Sequence, residues 1–433
     1  MLDIKYLNLV KDGARKKNVK VDIDRWVELD DQRKLLRQEL DGKREIQNKA
    51  SVEIAKATDD VRQEKIAEMS SLKNEIKEIE GNLSDVEIKW KEILMNIPNV
   101  PSSDMPEGNS EDDNVMIKEY GDITKFDFDV KDHIQLGKDL DIIDIEKAAE
   151  VSGSRFFYLK NEAVLIQLAL VNFVFSVLMD EKILKEIIDD LNLDISSKAF
   201  VPMLPPVMIR HEVQEKIHRV FGDQTYQFSE DGLNLVASAE HTMAPYHMNE
   251  VVEGKELPLR YIGYSTAFRR EAGTYGKDMG GILRTHQFDK LEMESFTDAE
   301  SGIDEQKFIV GIQEYLVKKL NIPYRLVHVC TGDTGKPDYN QFDIECWMPG
   351  QEKYRETHTS DYMTDFQTRG IKSFYKDEDG KRKLLHTNDA TAFAIGRMLI
   401  AILENYQQVD GSVVVPEVLR KWMPGEMGVI KKK

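Results

Sequence analysis

Between Met69 and Ile93 apolar residues recur at Met69, Leu72, Ile76, Ile79, Leu83, Val86, Trp90 and Ile93, in unbroken steps of three and four. A helix carrying such a seam is stable only when the seam is buried against a second helix. The segment from Leu29 to about Ala50 supplies that partner, with a weaker seam of Leu29, Leu36, Leu40 and Ile46, and Ala57-Thr58-Asp59-Asp60 reads as the cap of the returning helix. The pattern predicts an antiparallel two-helix arm. It stops at Ile97-Pro98-Asn99-Val100-Pro101, followed by the acidic, turn-rich SSDMPEGNSEDDN, so a linker is expected near 100–115. The domains are expected to be 1–110 and 111–433. Further on, a run from about Glu162 to Met179 is apolar nearly all round, which marks an interior or interfacial helix.

Two strand-like runs flank Gly273, Gly276, Gly280 and Gly281, and Leu259 to Phe296 therefore reads as a hairpin with a long loop. Alternation sets Ala267, Arg269 and Glu271 on one face and Phe268 and Arg270 on the other, while Glu292 lies between Leu291 and Met293. Charges of both signs thus face a surface that ought to be buried. Unpaired, each costs several kcal/mol, so the hairpin carries either an ion-pair network or a site for a charged ligand. Spacing alone does not choose between them.

Charge narrows the partners. The 433 residues are 41% apolar and 32% charged with a net charge of -19, which argues against a protein that coats nucleic acid by summed phosphate contacts, though not against a local basic groove. From Asp24 to Glu92 there are 14 Lys and Arg against 18 Asp and Glu, so the arm is not a basic rod. Its first helix is locally basic, with Arg33, Lys34, Arg37, Lys43, Arg44 and Lys49; these either meet phosphates or lace a solvated face with ion pairs. Cys330 and Cys346 are the only cysteines, and they form neither a disulfide framework nor a zinc-spaced cluster, so no zinc is expected. No signal-peptide core and no run approaching a membrane span is read, which leads to the expectation of a cytoplasmic protein.

Phe268-Arg269-Arg270-Glu271-Ala272-Gly273, continued after the glycine loop by Arg284-Thr285-His286-Gln287-Phe288-Asp289-Lys290-Leu291-Glu292-Met293, closely resembles the second signature motif of seryl-tRNA synthetases of the class II fold. Phe200 to Met208 resembles the first motif (about 199–209), which in that family forms the dimer interface, with Ala199 where glycine is usual. Phe393 to Gln407 and Val415 to Leu419 resemble the third (about 391–420). Ser238-Ala239-Glu240 aligns with the family's Thr-x-Glu element for the amino acid, and as residues of one strand Ser238 and Glu240 would face the same side; His241-Thr242-Met243 departs from the usual Val-Pro-Leu.

The resemblance implies roles. Arg269 would clamp the α-phosphate of ATP and Arg397 the γ-phosphate, with Arg270 beside them and Glu271 on the adenine amino group. Glu356, Thr357, His358 and Thr359 stand in the family's Arg-Glu-Ile-Ser-Ser run, where Glu356 and Thr359 would lie near Mg²⁺; His358 replaces a serine. Ser238, Ala239, Glu240, Glu292 and Thr391 would form the serine pocket, and the loop from Thr274 to Arg284 would close over ATP and meet the acceptor end of tRNA. A Walker A loop is absent from the sequence.

The expectation is an α+β protein: a coiled-coil arm followed by a class II catalytic domain built on an antiparallel sheet flanked by helices. By resemblance it is a homodimer that charges tRNA(Ser) with L-serine, using ATP and Mg²⁺ and gripping the tRNA with the arm. The alternatives are a non-catalytic synthetase paralogue that binds tRNA, and a ligase that loads an amino acid on a carrier protein.

Overall fold

The computed structural model describes residues 6–54, 59–219, 222–272 and 280–432, and the chain separates into two compact units, Met1–Val100 and Pro101–Lys433.

In the first unit a short helix α1 (Leu7–Lys16) precedes the two long helices α2 (Ile23–Ile54) and α3 (Asp59–Leu94). Leu40 of α2 meets Ile76 and Ile79 of α3, flanked by Leu36, Leu72 and Leu83. At the root of the arm Trp26 stacks on Trp90 with ring centroids 5.9 Å apart, and the Arg33 guanidinium lies 4.4 Å over Trp90. All eight apolar positions read on α3 are buried or half-buried. On α2 the seam runs 26, 29, 33, 36, 40, 43, 47, so Ile46 falls off it and is 57% exposed, contrary to the expectation. Every basic residue of the α2 stripe is ion-paired within the arm: Arg33 and Lys34 to Asp30, Arg37 to Glu87, Lys43 to Glu75, Arg44 to Glu80 and Lys49 to Glu45. Of the two meanings left open for that stripe, this geometry is the laced face. The cap expected at 57–60 begins in residues outside those described.

The second unit is built on eight strands: β1 (Val115–Tyr120), β2 (Val201–Met203), β3 (Leu259–Phe268), β4 (Gln287–Thr297), β5 (Tyr324–His328), β6 (Asn340–Met348), β7 (Lys353–Thr364) and β8 (His386–Ala394). Their order in the sheet is β1-β5-β6-β7-β8-β4-β3-β2, antiparallel except where β2 joins β3. The helices used below are α4 (His133–Asp139), α5 (Asn161–Leu178), α6 (Glu240–Met243), α7 (Gly302–Lys319) and α8 (Ile395–Asn405). Alternation sends Leu291 and Met293 of β4 and Ile344 and Cys346 of β6 to one side, where they pack on Ile166 and Leu170 of α5, Phe308 and Ile312 of α7, and Leu399 and Ile402 of α8. Each such side chain contributes roughly 1.5–3 kcal/mol by leaving water. The other face of the sheet carries the charged alternates.

Helix α5 corrects one expectation. Its 18 residues have a mean hydropathy of 1.7, long and apolar enough to cross a membrane by length and composition alone. Here half the helix is buried inside the fold, with Ile166, Leu170 and Val174 fully so, and it serves as the core layer behind the sheet.

Candidate active site

A cleft of roughly 370 Å³ opens on the charged face of the sheet. Its position follows from strand pairing. β7 and β8 pair only from Ser360↔Ala390 toward Thr364↔Thr387, and on the other side of that pair they part. The main-chain carbonyls released there are taken by one side chain from the helix layer: Gln313 of α7 donates to Thr359 O at 2.7 Å and to Thr391 O at 2.8 Å. In the gap the two hydroxyls face each other, Thr359 Oγ1 and Thr391 Oγ1 lying 3.4 Å apart.

One end of the cleft is cationic. Arg269, just past the end of β3, donates Nε–H to Ala237 O at 3.2 Å and lies 5.2 Å over the Phe288 ring. Arg397, at the start of α8, donates to the main-chain O of Glu356 at 2.6 Å and to Glu356 Oε1 at 2.9 Å. Burial and the neighbouring Arg397 charge both lower the pKa of Arg269, the signature of two guanidiniums held together with too little counter-charge. Glu271, at φ +49°, is bound by Arg284 at 3.0 Å.

The other end is anionic. Glu240, Glu292 and Asp389 each offer a carboxylate oxygen, and these oxygens lie within 4.8 Å of one another. Arg219 answers part of this charge, 2.6 Å from Glu240 and 2.9 Å from Asp389, and Lys290 stands 2.5 Å from Glu292. Ser238 completes the group: its hydroxyl donates to Glu292 Oε2 at 3.2 Å and accepts from Lys290 Nζ at 3.1 Å. Burial pushes the Glu240 carboxyl up, but Arg219 together with His241, Asp389 and Lys290 outweighs it and holds the group down at about 2. Asp389 goes the other way, well above the usual range, because of burial and the Glu240 charge. Burial takes His241 down to about 3, leaving a neutral imidazole whose Nδ1 lies 2.9 Å from Gln214 Nε2.

Of the residues expected from sequence, Arg269, Glu271, Arg397, Glu356, Thr357, Thr359, Ser238, Glu240 and Thr391 line this cleft. Glu292 stands directly beneath, bonded to Ser238. Three do not join them. Arg270 is exposed, its backbone N–H spent on Gln224 O. Ala239 packs with Met243 and Tyr261 in an apolar cluster. His358 is fully buried on the core side, with Nδ1 2.7 Å from Thr357 Oγ1 and its ring 5.6 Å from that of Phe393. The cause is a bulge between Ile344 and Glu345 of β6, opposite His358 and Glu356. The extra residue, Thr357, reverses the alternation, so that Glu356, Thr359 and Asp361 share the cleft face. The picture of Ser238 and Glu240 on one strand also needs correction: the strand ends at Leu235 and Glu240 opens α6, so a turn brings the pair together.

The sequence reading assigned no role to Lys290, Phe288, Arg219, Asp361 or Asp389. Lys290 was legible as Glu292's neighbour two positions back in a strand; Arg219, 170 residues from Asp389, carried no local signal. Residues 274–279 of the expected loop, with Gly273 before them, lie outside the described residues.

Residues 1–101 match the family described as the seryl-tRNA synthetase N-terminal domain, and residues 225–406 the class II core domain of the tRNA synthetases for G, H, P, S and T. A serine–tRNA ligase of Dictyoglomus turgidum is 37% identical over 98% of both chains, and one of Treponema denticola is 37% identical over 97% of this chain and 98% of its own. Among solved structures, the seryl-tRNA synthetase of Pyrococcus horikoshii complexed with ATP superposes with a TM-score of 0.82 at 33% identity over the whole of both chains. The cytoplasmic serine–tRNA ligase of Naegleria fowleri in complex with AMP gives 0.78 at 26% over 99% and 96%. With likeness running end to end, through the arm and the sheet alike, the chain belongs to the seryl-tRNA synthetase family of class II aminoacyl-tRNA synthetases.

Proposed function

We propose that the chain activates L-serine with ATP and transfers the seryl group to the 3′ end of tRNA(Ser), and that Arg269, Arg397, Glu271, Glu240, Glu292 and Thr391 carry the first step. The observation behind this reading is the polarity of one cavity, with guanidiniums at one end and a surplus of buried carboxylates at the other. An amino acid and ATP place charge in that order: ammonium, reacting carboxylate, phosphates. Glu240, Glu292 and Asp389 take the ammonium, while Thr391 and Glu292 read the hydroxyl. A serine carboxylate oxygen attacks the α-phosphorus as the bond to pyrophosphate breaks, and Arg269 stabilises the charge that builds on the phosphate. Phe288, beneath Arg269, offers a face for the adenine, with Glu271 at its amino group. A ribose hydroxyl of the terminal adenosine then attacks the seryl carbonyl and AMP leaves. The acceleration comes from positioning and fixed charge.

Glu356 and Thr359 present only oxygen donors at the cationic end, the donor set that Mg²⁺ requires, and they are the residues that would hold it. The ion supplies charge neutralisation of the phosphates. tRNA gripping by the arm also belongs to this reading: exposed ion pairs such as Arg44–Glu80 are worth about 0–1 kcal/mol each, so exchanging a carboxylate for a phosphate costs little. A homodimer and a cytoplasmic setting complete the proposal.

The test is ATP–pyrophosphate exchange with serine, threonine, alanine and cysteine. Serine-specific exchange, falling about 10²–10³-fold in Arg269→Ala, is expected. No exchange with any of the four by folded protein would refute the catalytic assignment.

A further inference from the structure

His133, far from the motifs in sequence, sits where two of them meet. It is buried on α4 and bound on both sides of its ring. Nδ1 lies 3.0 Å from Glu404 Oε1, and the backbone N–H of Ile282 donates to Nε2 at 3.3 Å. A nitrogen that accepts from an amide carries no proton, so the proton is on Nδ1 and is donated to Glu404. Glu404 is fully buried near the end of α8, the helix whose start carries Arg397, and it is fixed by the N–H groups of His133 (3.0 Å) and Gly350 (2.9 Å). Ile282 belongs to the segment that returns into β4, and Ile282, Leu283, Arg284 and Thr285 line the cleft.

The fit is close at both ends of α8. Gly281, at φ +77°, stands so near the imidazole that a Cβ on it would lie 2.0 Å from Nε2, and a Cβ on Gly396 would lie 3.2 Å from Ile282 O. A side chain at Gly281 would have to displace the imidazole or the segment, and one at Gly396 would press on Ile282 O by a few tenths of an ångström.

We infer that His133 is a positioning residue for the ATP end of the cleft: its neutral, Nδ1-protonated imidazole ties the segment 280–285 to the helix that carries Arg397. The phosphate-facing arginine and the wall opposite it are thereby held in one register, with Glu404 as the shared anchor. This rests on the reading of the cleft as an ATP site.

His133→Leu, His133→Asn and His133→Gln separate the roles. Asparagine keeps a donor for Glu404 but has no acceptor at the Nε2 position; the longer glutamine carbonyl reaches Ile282. Leucine and asparagine should raise the KM for ATP about tenfold in pyrophosphate exchange, the effect of one buried amide losing its acceptor. The KM for serine should stay within twofold, and glutamine should recover most of the loss. Backbone hydrogen exchange at Ile282 should accelerate in the leucine and asparagine variants and return toward wild type with glutamine. That measurement is independent of activity, so an inert wild-type protein would refute the ATP reading while the amide still reports on the clamp. Equal rises in both KM values, a lower melting temperature with unchanged KM for ATP, or an Ile282 amide unaffected by the asparagine variant would each overturn the inference.

Discussion

Glu294 offers the sharpest test of how the buried acids are held. It follows Glu292 by two on β4, faces the same way, and stands in register with Asp389 of β8 and Tyr261 of β3. It is fully buried, and both its carboxylate oxygens lack a hydrogen-bond partner among the described residues. Burial, with Glu240 and Glu292 adding to it, pushes its pKa well above the ordinary 4.5. A group whose folded pKa exceeds its unfolded one favours folding fully at low pH and loses that contribution as pH rises from the unfolded value through the folded one. Held protonated at pH 7.5, three units above 4.5, it costs at most about 4 kcal/mol against an unfolded chain free to ionise. Glu294→Gln removes that cost but brings an amide with its own unmet hydrogen bonds, about 1–3 kcal/mol. The net expectation at pH 7.5 is a gain of at most about 3 kcal/mol, or up to roughly 5 °C for a unit of this size. Thermal melts from pH 5 to 8.5 check it. The wild-type melting temperature should fall as pH rises across this range, since burial raises Asp361, Asp389 and Asp343 in the same sense. The Gln variant should fall less steeply, and the two curves should cross between about pH 5 and 7, with the variant the less stable below the crossing. Parallel curves, or a variant less stable at pH 8, would refute the account. Glu240 acts in the opposite direction and in another window, its contribution present above 4.5 and lost as pH falls through about 2.

Arg219→Met leaves Glu240, Asp389 and Asp338 without their shared cation, and should destabilise the second unit by about 3–5 kcal/mol, read as a lower melting temperature that added serine partly restores. Trp26→Ala removes the stack on Trp90 and should cost the arm about 3–5 kcal/mol, with serine-dependent pyrophosphate exchange preserved and tRNA charging reduced. Thr357→Val deprives Ile344 O of the hydroxyl that reaches it at 3.1 Å, costing about 1–3 kcal/mol in a thermal melt, while Thr357→Ser should lose less than half of that.

What the sequence made legible follows the range of the forces involved. The α3 seam is a local periodicity, and each of its eight positions is buried or half-buried. The alternation of Lys290, Glu292 and Glu294 is equally local, so the charged face of β4 could be read once the strand was recognised. Ile46 was misplaced because an apolar residue near the end of a weak seam is a poorer guide than the step count, which continues through Lys43 and Gln47. Arg219 lay beyond reach for a different reason. Its partners, Glu240, Asp338 and Asp389, come from three separate segments, and only the tertiary fold puts one guanidinium among them.

The misassignment of His358 shows where pattern reading fails even inside a recognised motif. Strict alternation along β7 groups 356, 358 and 360 on one face; the bulge replaces that set with 356, 359 and 361. No glycine marks the place, and the irregularity is sustained by Thr357, whose hydroxyl donates to Ile344 O, a carbonyl at the edge of the disrupted pairing. One inserted residue therefore decides that a neutral imidazole packs on Phe393 while Asp361 lines the acidic end of the cleft. A bulge acts on every residue beyond it, and so it reverses the meaning of a run that a motif lists contiguously. The chemistry of this site is set by backbone register as much as by residue identity: Glu356 and Thr359 are three positions apart and face the same cleft only because Thr357 lies outside the ladder.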